Sequence, residues 1–220
     1  LLLSFVVGIA LGLLAAYRRG SAFDQIVSTL GSVISSVPNY LIALLIVLVL
    51  GVQLRLVPVT QMRGAYSSGI QPGFSLDFIG DVLFHAALPI TVFFLTQIGH
   101  WILSMRNATL ATLEEDYVVA ARARGLSDSR ITTAYVGRNA ALPLVTQLAI
   151  SVGFIVGGAV LVEQVFLYQG VGLRLLRAVD QRDYPVMQGI LLLVTVSVVI
   201  ANLAADLIYS RLDPRIGRGS

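Results

Sequence analysis

Long apolar runs alternate with shorter polar stretches along this chain. A helix needs about 20 mainly apolar residues to cross a bilayer. Val27–Leu50, Phe84–Ser104, Asn139–Val162 and Met187–Tyr209 meet that length and predict four spans. A fifth run, Leu1–Tyr17, starts abruptly, with no initiator Met and no polar lead-in. It predicts a chain that begins inside a hydrophobic segment, with further sequence upstream. No small-residue cleavage site precedes the next segment, which argues against a cleaved signal peptide. The expectation is therefore an all-α, polytopic transmembrane helical bundle, one domain over residues 1–220. Its candidate spans are 1–17, 27–50, 84–104, 139–162 and 187–209, with outer loops 51–83 and 163–186 and a polar insert at 105–138.

The insert is the most informative stretch. Thr112-Leu113-Glu114-Glu115 has the form of a capping box, and three acids, Glu114, Glu115 and Asp116, stand at the positive end of the helix it would open. Arg122 and Arg124 stand at the negative end, and Gly125 predicts the stop. Tyr117, Ala120, Ala121 and Arg124 share one face at helical spacing, and the alanines leave that face open to close approach. Ser127 predicts the cap of a second helix. The pattern is that of a docking element; the bland reading of the same residues is a solvated loop.

Composition agrees with the spans. The chain is 56% hydrophobic and 12% charged, with a mean hydropathy of +0.85, outside the averages of soluble domains. All 15 basic residues are arginines. Arg18, Arg19, Arg106, Arg122, Arg124, Arg130, Arg138, Arg211, Arg215 and Arg218 fall on one side of the proposed spans; Arg55, Arg63, Arg174, Arg177 and Arg182 fall on the other. The richer side is cytoplasmic, so 105–138 is a cytoplasmic loop. Basic residues divided between two membrane faces exclude a nucleic-acid binder. Without lysine there is no P-loop to grip ATP, and without cysteine no disulfide, thiolate nucleophile or cysteine-based metal site. His85 and His100 stand fifteen residues apart with no zinc-binding pattern around them, and no Gly-x-Ser-x-Gly elbow occurs.

Polar residues inside spans are functional candidates, because lipid makes them costly. Gln97, His100 and Ser104 lie on one side of 84–104, and Asn39 follows Pro38 in 27–50. Asn39, Gln97 and His100 are candidates for a translocation path. The same His100 could instead mark a span end, where polar groups cost little. Asn202 and Asp206 stand four apart in the last span, Asp206 near Arg211. Glu163 closes its span at the outer surface. Arg174, Arg177, Arg182 and Asp183, in the outer loop 163–186, are candidate contacts for an external partner. Gly8-x-x-x-Gly12 and Gly153-x-x-x-Gly157 offer surfaces for close helix contact.

Several segments carry a family likeness. Asp116-Tyr117-Val118 is followed by Ala120-Ala121-Arg122-Ala123-Arg124-Gly125-Leu126-Ser127, then by Arg138-Asn139-Ala140 and Leu142-Pro143-Leu144. Ala16-Tyr17-Arg18-Arg19-Gly20-Ser21 with Asp24, Val37-Pro38, Val162-Glu163-Gln164-Val165-Phe166, Arg182-Asp183-Tyr184-Pro185-Val186 and Ala205-Asp206-Leu207-Ile208-Tyr209 with Leu212-Asp213-Pro214-Arg215 occur in the matching order. The chain resembles the permease subunits of bacterial ABC importers, in the dipeptide, oligopeptide and nickel branch whose cytoplasmic loop bears the EAA motif. Val119 stands where the general motif has its Glu, and Tyr168-Gln169-Gly170 replaces an aromatic-Pro-Gly pattern. The interval from Gly125 to Leu142-Pro143 is longer than in the general motif, as in the peptide and nickel branch.

The resemblance implies a type I importer transmembrane domain without its first span, sited in the bacterial cytoplasmic membrane. It implies a heterodimer with a sister permease, two ATPase subunits or one fused double ATPase, and an external solute-binding protein. The chain itself would be no enzyme and hold no cofactor; ATP and Mg would belong to the ATPases. Glu115, Asp116, Tyr117, Ala120, Ala121, Arg124, Gly125 and Ser127 would couple ATPase motion to transport. Arg174, Arg177, Arg182 and Asp183 would meet the binding protein. The solute would be a di- or oligopeptide, with nickel as the alternative. An ion-coupled secondary transporter would place acids at the midplane, whereas every Asp and Glu here lies in a loop or near a span end; a non-transporting scaffold would bind partners without solute flux.

Overall fold

A computed structural model describes residues 1–156 and 160–212, with the side chains of 133, 134, 149, 153–156 and 205–212 left aside. Gly157 of the second glycine pair and the Leu212-Asp213-Pro214-Arg215 segment beyond Leu212 fall outside the described residues, as do the side chains of Asp206 and Arg211. The described residues form ten α-helices: α1 Leu2–Tyr17, α2 Ala22–Ser36, α3 Asn39–Leu45, α4 Leu76–Thr112, α5 Asp116–Ala123, α6 Asp128–Arg130, α7 Arg138–Val156, α8 Val160–Phe166, α9 Val171–Asp180 and α10 Tyr184–Leu212. Two π-helical stretches extend them, Ile46–Gln53 after α3 and Ile131–Gly137 before α7.

Two of these helices, α4 and the Tyr184–Ala204 part of α10, are each long and apolar enough to cross a membrane. The run expected as one span at 27–50 is instead two helices, because α2 ends at Ser36 and α3 starts again behind Pro38. Proline cannot donate a helical hydrogen bond and pushes the preceding residue toward extended backbone, so the break falls at Val37-Pro38. The boundaries of α4 also differ from expectation. It starts at Leu76, inside the expected outer loop, and continues through Arg106 to Thr112, inside the expected cytoplasmic loop.

Contacts gather the described residues into two compact units interleaved in sequence: 1–36 with 95–152 and 200–212, and 37–94 with 153–156 and 160–199. In the first unit Trp101 and Met105 of α4 and Ala140 and Leu144 of α7 form a buried cluster, flanked by Phe5, Ile9 and Leu13 of α1. Phe5 meets the Trp101 ring edge to face at 4.9 Å. The first glycine pair explains the closeness of α1 and α4: a Cβ on Gly8 would lie 2.5 Å from the Trp101 Cβ, and one on Gly12 would lie 2.5 Å from the Ile102 carbonyl. On α2, Gly31 stands against Gly99 so closely that a Cβ on Gly99 would collide with the Gly31 carbonyl. Small residues let helix backbones approach where lipid provides no hydrophobic drive. Gly99→Ala is therefore expected to destabilise the protein by about 1–3 kcal/mol through overpacking, read as a lower unfolding temperature in detergent; an unchanged midpoint would exclude this crossing.

In the second unit α8 packs on α3 and α9, with Val162, Phe166 and Leu173 buried. Ser67, in the loop before α4, is tied to that helix by Asp81, whose carboxylate accepts from the Ser67 backbone N–H at 2.6 Å and from its hydroxyl at 2.7 Å. The Tyr184–Ala204 stretch of α10 buries none of its residues within the chain. Its exposed Leu192, Val199 and Leu203 suit lipid or a neighbouring membrane subunit.

Candidate functional site

The insert between α4 and α7 folds as a short helix held down at both ends. The expected capping box does not form. Thr112 is still the last residue of α4, where its hydroxyl donates to the Ala108 carbonyl at 2.8 Å, and the next helix starts only at Asp116 with extended Glu115 before it. The α4 helix overruns the box because its hydroxyl is satisfied within its own helix. At the other end the glycine stop is present: Gly125 has φ +78°, its N–H donates to the Arg122 carbonyl at 2.9 Å, and the Leu126 N–H donates to the Ala121 carbonyl at 3.3 Å. These two bonds define a Schellman motif, and Leu126 supplies its apolar contact. Ser127 caps α6, accepting from the Arg130 N–H at 3.4 Å.

Burial divides α5 into two faces. Val118 and Ala121 turn inward and form a small core with Ile131 and Val136 of the following π-helical stretch, flanked by Leu113 and Leu126. This corrects the expected docking face: Ala121 is 4% exposed and belongs to the inner side. Tyr117, Ala120 and Arg124 remain outward, together with Glu115 and Asp116. Val119 joins them at 58% exposure, so the residue that departs from the general motif makes the outward face more apolar. The Tyr117 hydroxyl accepts from Asn139 Nδ2 at 2.9 Å, which fixes the ring against the start of α7. Sequence reading missed Asn139 as its partner, because 22 residues separate them and spacing gives no signal at that range.

Beside this region lies an ion pair that the sequence reading did not connect. Arg106 of α4 grips Asp24 of α2 with two hydrogen bonds, Nε to Oδ1 at 2.6 Å and Nη2 to Oδ2 at 2.9 Å. Asp24 is 2% exposed. It also accepts from the Gly20 N–H at 3.0 Å and the Ser28 hydroxyl at 3.2 Å, so a buried carboxylate is fully hydrogen-bonded, as burial of a charge requires. Gly20, at φ +79°, turns α1 into α2 and aims its N–H at that carboxylate. A cavity of about 490 Å³ opens next to the turn, lined by Tyr17, Arg19, Glu114, Arg122 and Asp128 among others.

Of the path candidates, Gln97 and His100 lie on α4 in the first unit, half-buried and exposed respectively. His100 Nε2 is 2.9 Å from Gln147 Nε2 on α7, a partner that sequence reading did not single out. Asn39 belongs to the second unit, where it is half-buried and opens α3 behind Pro38.

The candidate partner contacts also lie in the second unit. Helix α9 is amphipathic, burying Gly172, Leu173 and Ala178 and exposing Arg174 and Arg177. Both arginines line a depression of about 310 Å³, together with Gln169, Gln181, Asp183 and Val186. Arg182 holds φ +54° in the turn that ends α9, and Asp183 caps α10 by accepting from the Val186 N–H at 3.2 Å. Asp183 is thus engaged in the fold. Glu163 reaches the start of α9, where it accepts from the Leu173 N–H at 2.7 Å. A Cβ at Gly170 would meet the Glu163 carboxylate and displace it from the Leu173 N–H. Among the described residues no three His, Asp or Glu gather as metal ligands.

The sequence profile described as binding-protein-dependent transport system inner membrane component matches residues 8–218. The chain belongs to that family. A putative peptide permease protein of Brucella suis is 40% identical over 98% of the chain and 65% of its own length. The dipeptide transport system permease protein DppB of Escherichia coli is 35% identical over 96% of the chain and 66% of its length. A di/tripeptide transport system permease protein of Pseudomonas aeruginosa is 34% identical over 95% and 65%. The chain thus spans about 65% of the length of these curated relatives. Family membership places it in the inner membrane, consistent with helices able to cross one.

Proposed function

We propose that this chain is the permease subunit of an ATP-driven importer for di- or oligopeptides, and that α5 passes ATPase motion to the membrane helices. The observation that carries the reading is the division of α5. Its inner face is locked to the stretch leading into α7, while Tyr117, Val119, Ala120 and Arg124 face outward on a helix too short to stand alone. Isolated helices under about 12 residues are marginal in water, so the Schellman end at Gly125 and the inner core keep this one rigid enough to transmit force. Its outward face suits a cleft in an ATPase. The permease names of the relatives point to peptides as the solute.

On this reading the functional assembly adds a sister permease, two ATPases or one fused double ATPase holding ATP and Mg, and an external solute-binding protein. Hydrolysis belongs to the ATPases, because a chain with no lysine has no P-loop. Asn39, Gln97 and His100 contribute to the path, and Arg174 and Arg177 of α9 meet the binding protein, with Arg182 and Asp183 shaping the turn beside them. Affinity purification of the chain from native membranes, followed by mass spectrometry of proteins and retained ligand, tests the assignment. Co-purifying ATPases and a peptide-loaded binding protein are expected. Metal in place of peptide would move the solute to nickel, and recovery without any ATPase would overturn the importer.

A further inference from the structure

Within the first unit one polar pair lies inside two expected spans and faces outward. Gln147 stands eight residues past Asn139, where its span is expected to start, or about 12 Å along the helix at helical rise. His100 stands four residues before Ser104, the expected end of its own span. Their Nε2 atoms are 2.9 Å apart. Trp101, fully buried beneath them, packs its ring edge to face with His100 at 5.3 Å and holds the imidazole from behind. Lipid would make an outward polar pair at this depth costly, so such a pair faces protein or a watered passage. Gln97 and Ser104 continue the same side of α4.

The chemistry of the pair narrows its ligand. A carboxamide N–H can only donate, so the imidazole nitrogen facing it accepts, and the ring's own N–H is at Nδ1. Among the described residues the pair then keeps two donors, Nδ1–H of His100 and the second N–H of Gln147, and one acceptor group, Oε1 of Gln147. A peptide unit offers one C=O and one N–H, which is the complement of that set, whereas a terminal ammonium or carboxylate calls for an opposite charge. Ser151 is not part of the set, because its hydroxyl donates to the Gln147 carbonyl at 2.8 Å within its own helix.

We infer that His100 and Gln147 form a main-chain contact in the translocation path, taking the C=O and N–H of a passing peptide unit whatever its side chains. This rests on the reading of the chain as a peptide importer's permease. The test uses the complete importer in proteoliposomes with its binding protein, comparing uptake of dialanine with that of its ester analogue, in which oxygen replaces the amide N–H. His100→Leu and Gln147→Leu are each expected to lower dialanine uptake on the order of tenfold, and Gln147→Leu, which removes the acceptor for the peptide N–H, is expected also to lower the amide-to-ester uptake ratio relative to the parent with the same binding protein. Unchanged uptake overturns the inference, and so does reduced uptake by Gln147→Leu at an unchanged ratio, which would mark the pair as packing against the sister permease. Where a leucine variant fails to assemble, Gln147→Ser decides, since it stays polar but withdraws from reach: a lowered ratio supports the contact and an unchanged ratio overturns it. A parent importer that takes up no peptide overturns the peptide reading itself, and the inference with it.

Discussion

Ala120→Asp on α5 is expected to lower ATP-driven uptake by about 30-fold or more, the factor that corresponds to ~2 kcal/mol for an unpaired charge buried in an interface, while the chain still inserts and folds. Ala120 faces outward, so a carboxylate there meets water in the isolated chain and is buried only when a partner docks. The neighbouring position behaves differently. Ala121 is inside the small core with Val118, Ile131 and Val136, and Ala121→Asp would bury a charge within the chain and unseat the helix before any partner arrives. Gly125→Pro gives the same uncoupling by another route, because proline cannot adopt the φ of +78° or donate the bond to Arg122. The measurement is uptake and ATP hydrolysis side by side in the reconstituted importer: hydrolysis persisting without uptake is expected, and normal uptake by Ala120→Asp would refute α5 as the coupling element.

Removing one partner of the Asp24–Arg106 pair is expected to produce the largest loss of stability. Asp24→Leu leaves a guanidinium whose side chain is only 23% exposed with no counter-charge, and breaking a buried pair this way costs about 3–5 kcal/mol. The Gly20 N–H and the Ser28 hydroxyl lose their acceptor at the same time. Replacing both partners should be far milder: Asp24→Leu with Arg106→Met removes the charge and its counter-charge together, and apolar pairs of similar volume are often neutral substitutes. Thermal unfolding of the purified protein in detergent separates the two cases. A single Asp24→Leu variant that unfolds with the parent would show that the pair contributes nothing.

The two experiments probe adjoining parts of one unit. The Asp24–Arg106 pair joins α2 to α4 just before α4 runs on to Thr112, and α5 follows after a three-residue turn. The π-helical stretch Ile131–Gly137 then lies between the α5 core and α7. Gly137 within it approaches Leu13 of α1, where a Cβ would lie 3.3 Å from the Leu13 Cδ2. A wider π turn often marks a functional site in a helix. Here it sits where a movement of α5 would enter α7 and reach α1.

Much of this protein was legible in its sequence because the deciding signals are local. Apolar runs long enough to span a bilayer made the chain a helical membrane protein, since lipid admits no unsatisfied backbone. Gly125 marked the end of α5 because only a residue without Cβ accepts a left-handed backbone at low cost. Ser127 marked the next cap, and the ordered motifs placed the chain in its family. Tertiary structure alone decided the rest. Thr112 had the chemistry of a cap but went to the end of α4, because the hydroxyl had a closer acceptor in its own helix. Ala121 and Ala120 are the same residue type one position apart, and only packing against Ile131 and Val136 separates the inner face from the outward one. Asp24 with Arg106, Tyr117 with Asn139 and His100 with Gln147 are pairs 82, 22 and 47 residues apart. Helical spacing reads neighbours one turn away along a single helix; which turns of different helices meet is set by close packing of their side chains and glycines.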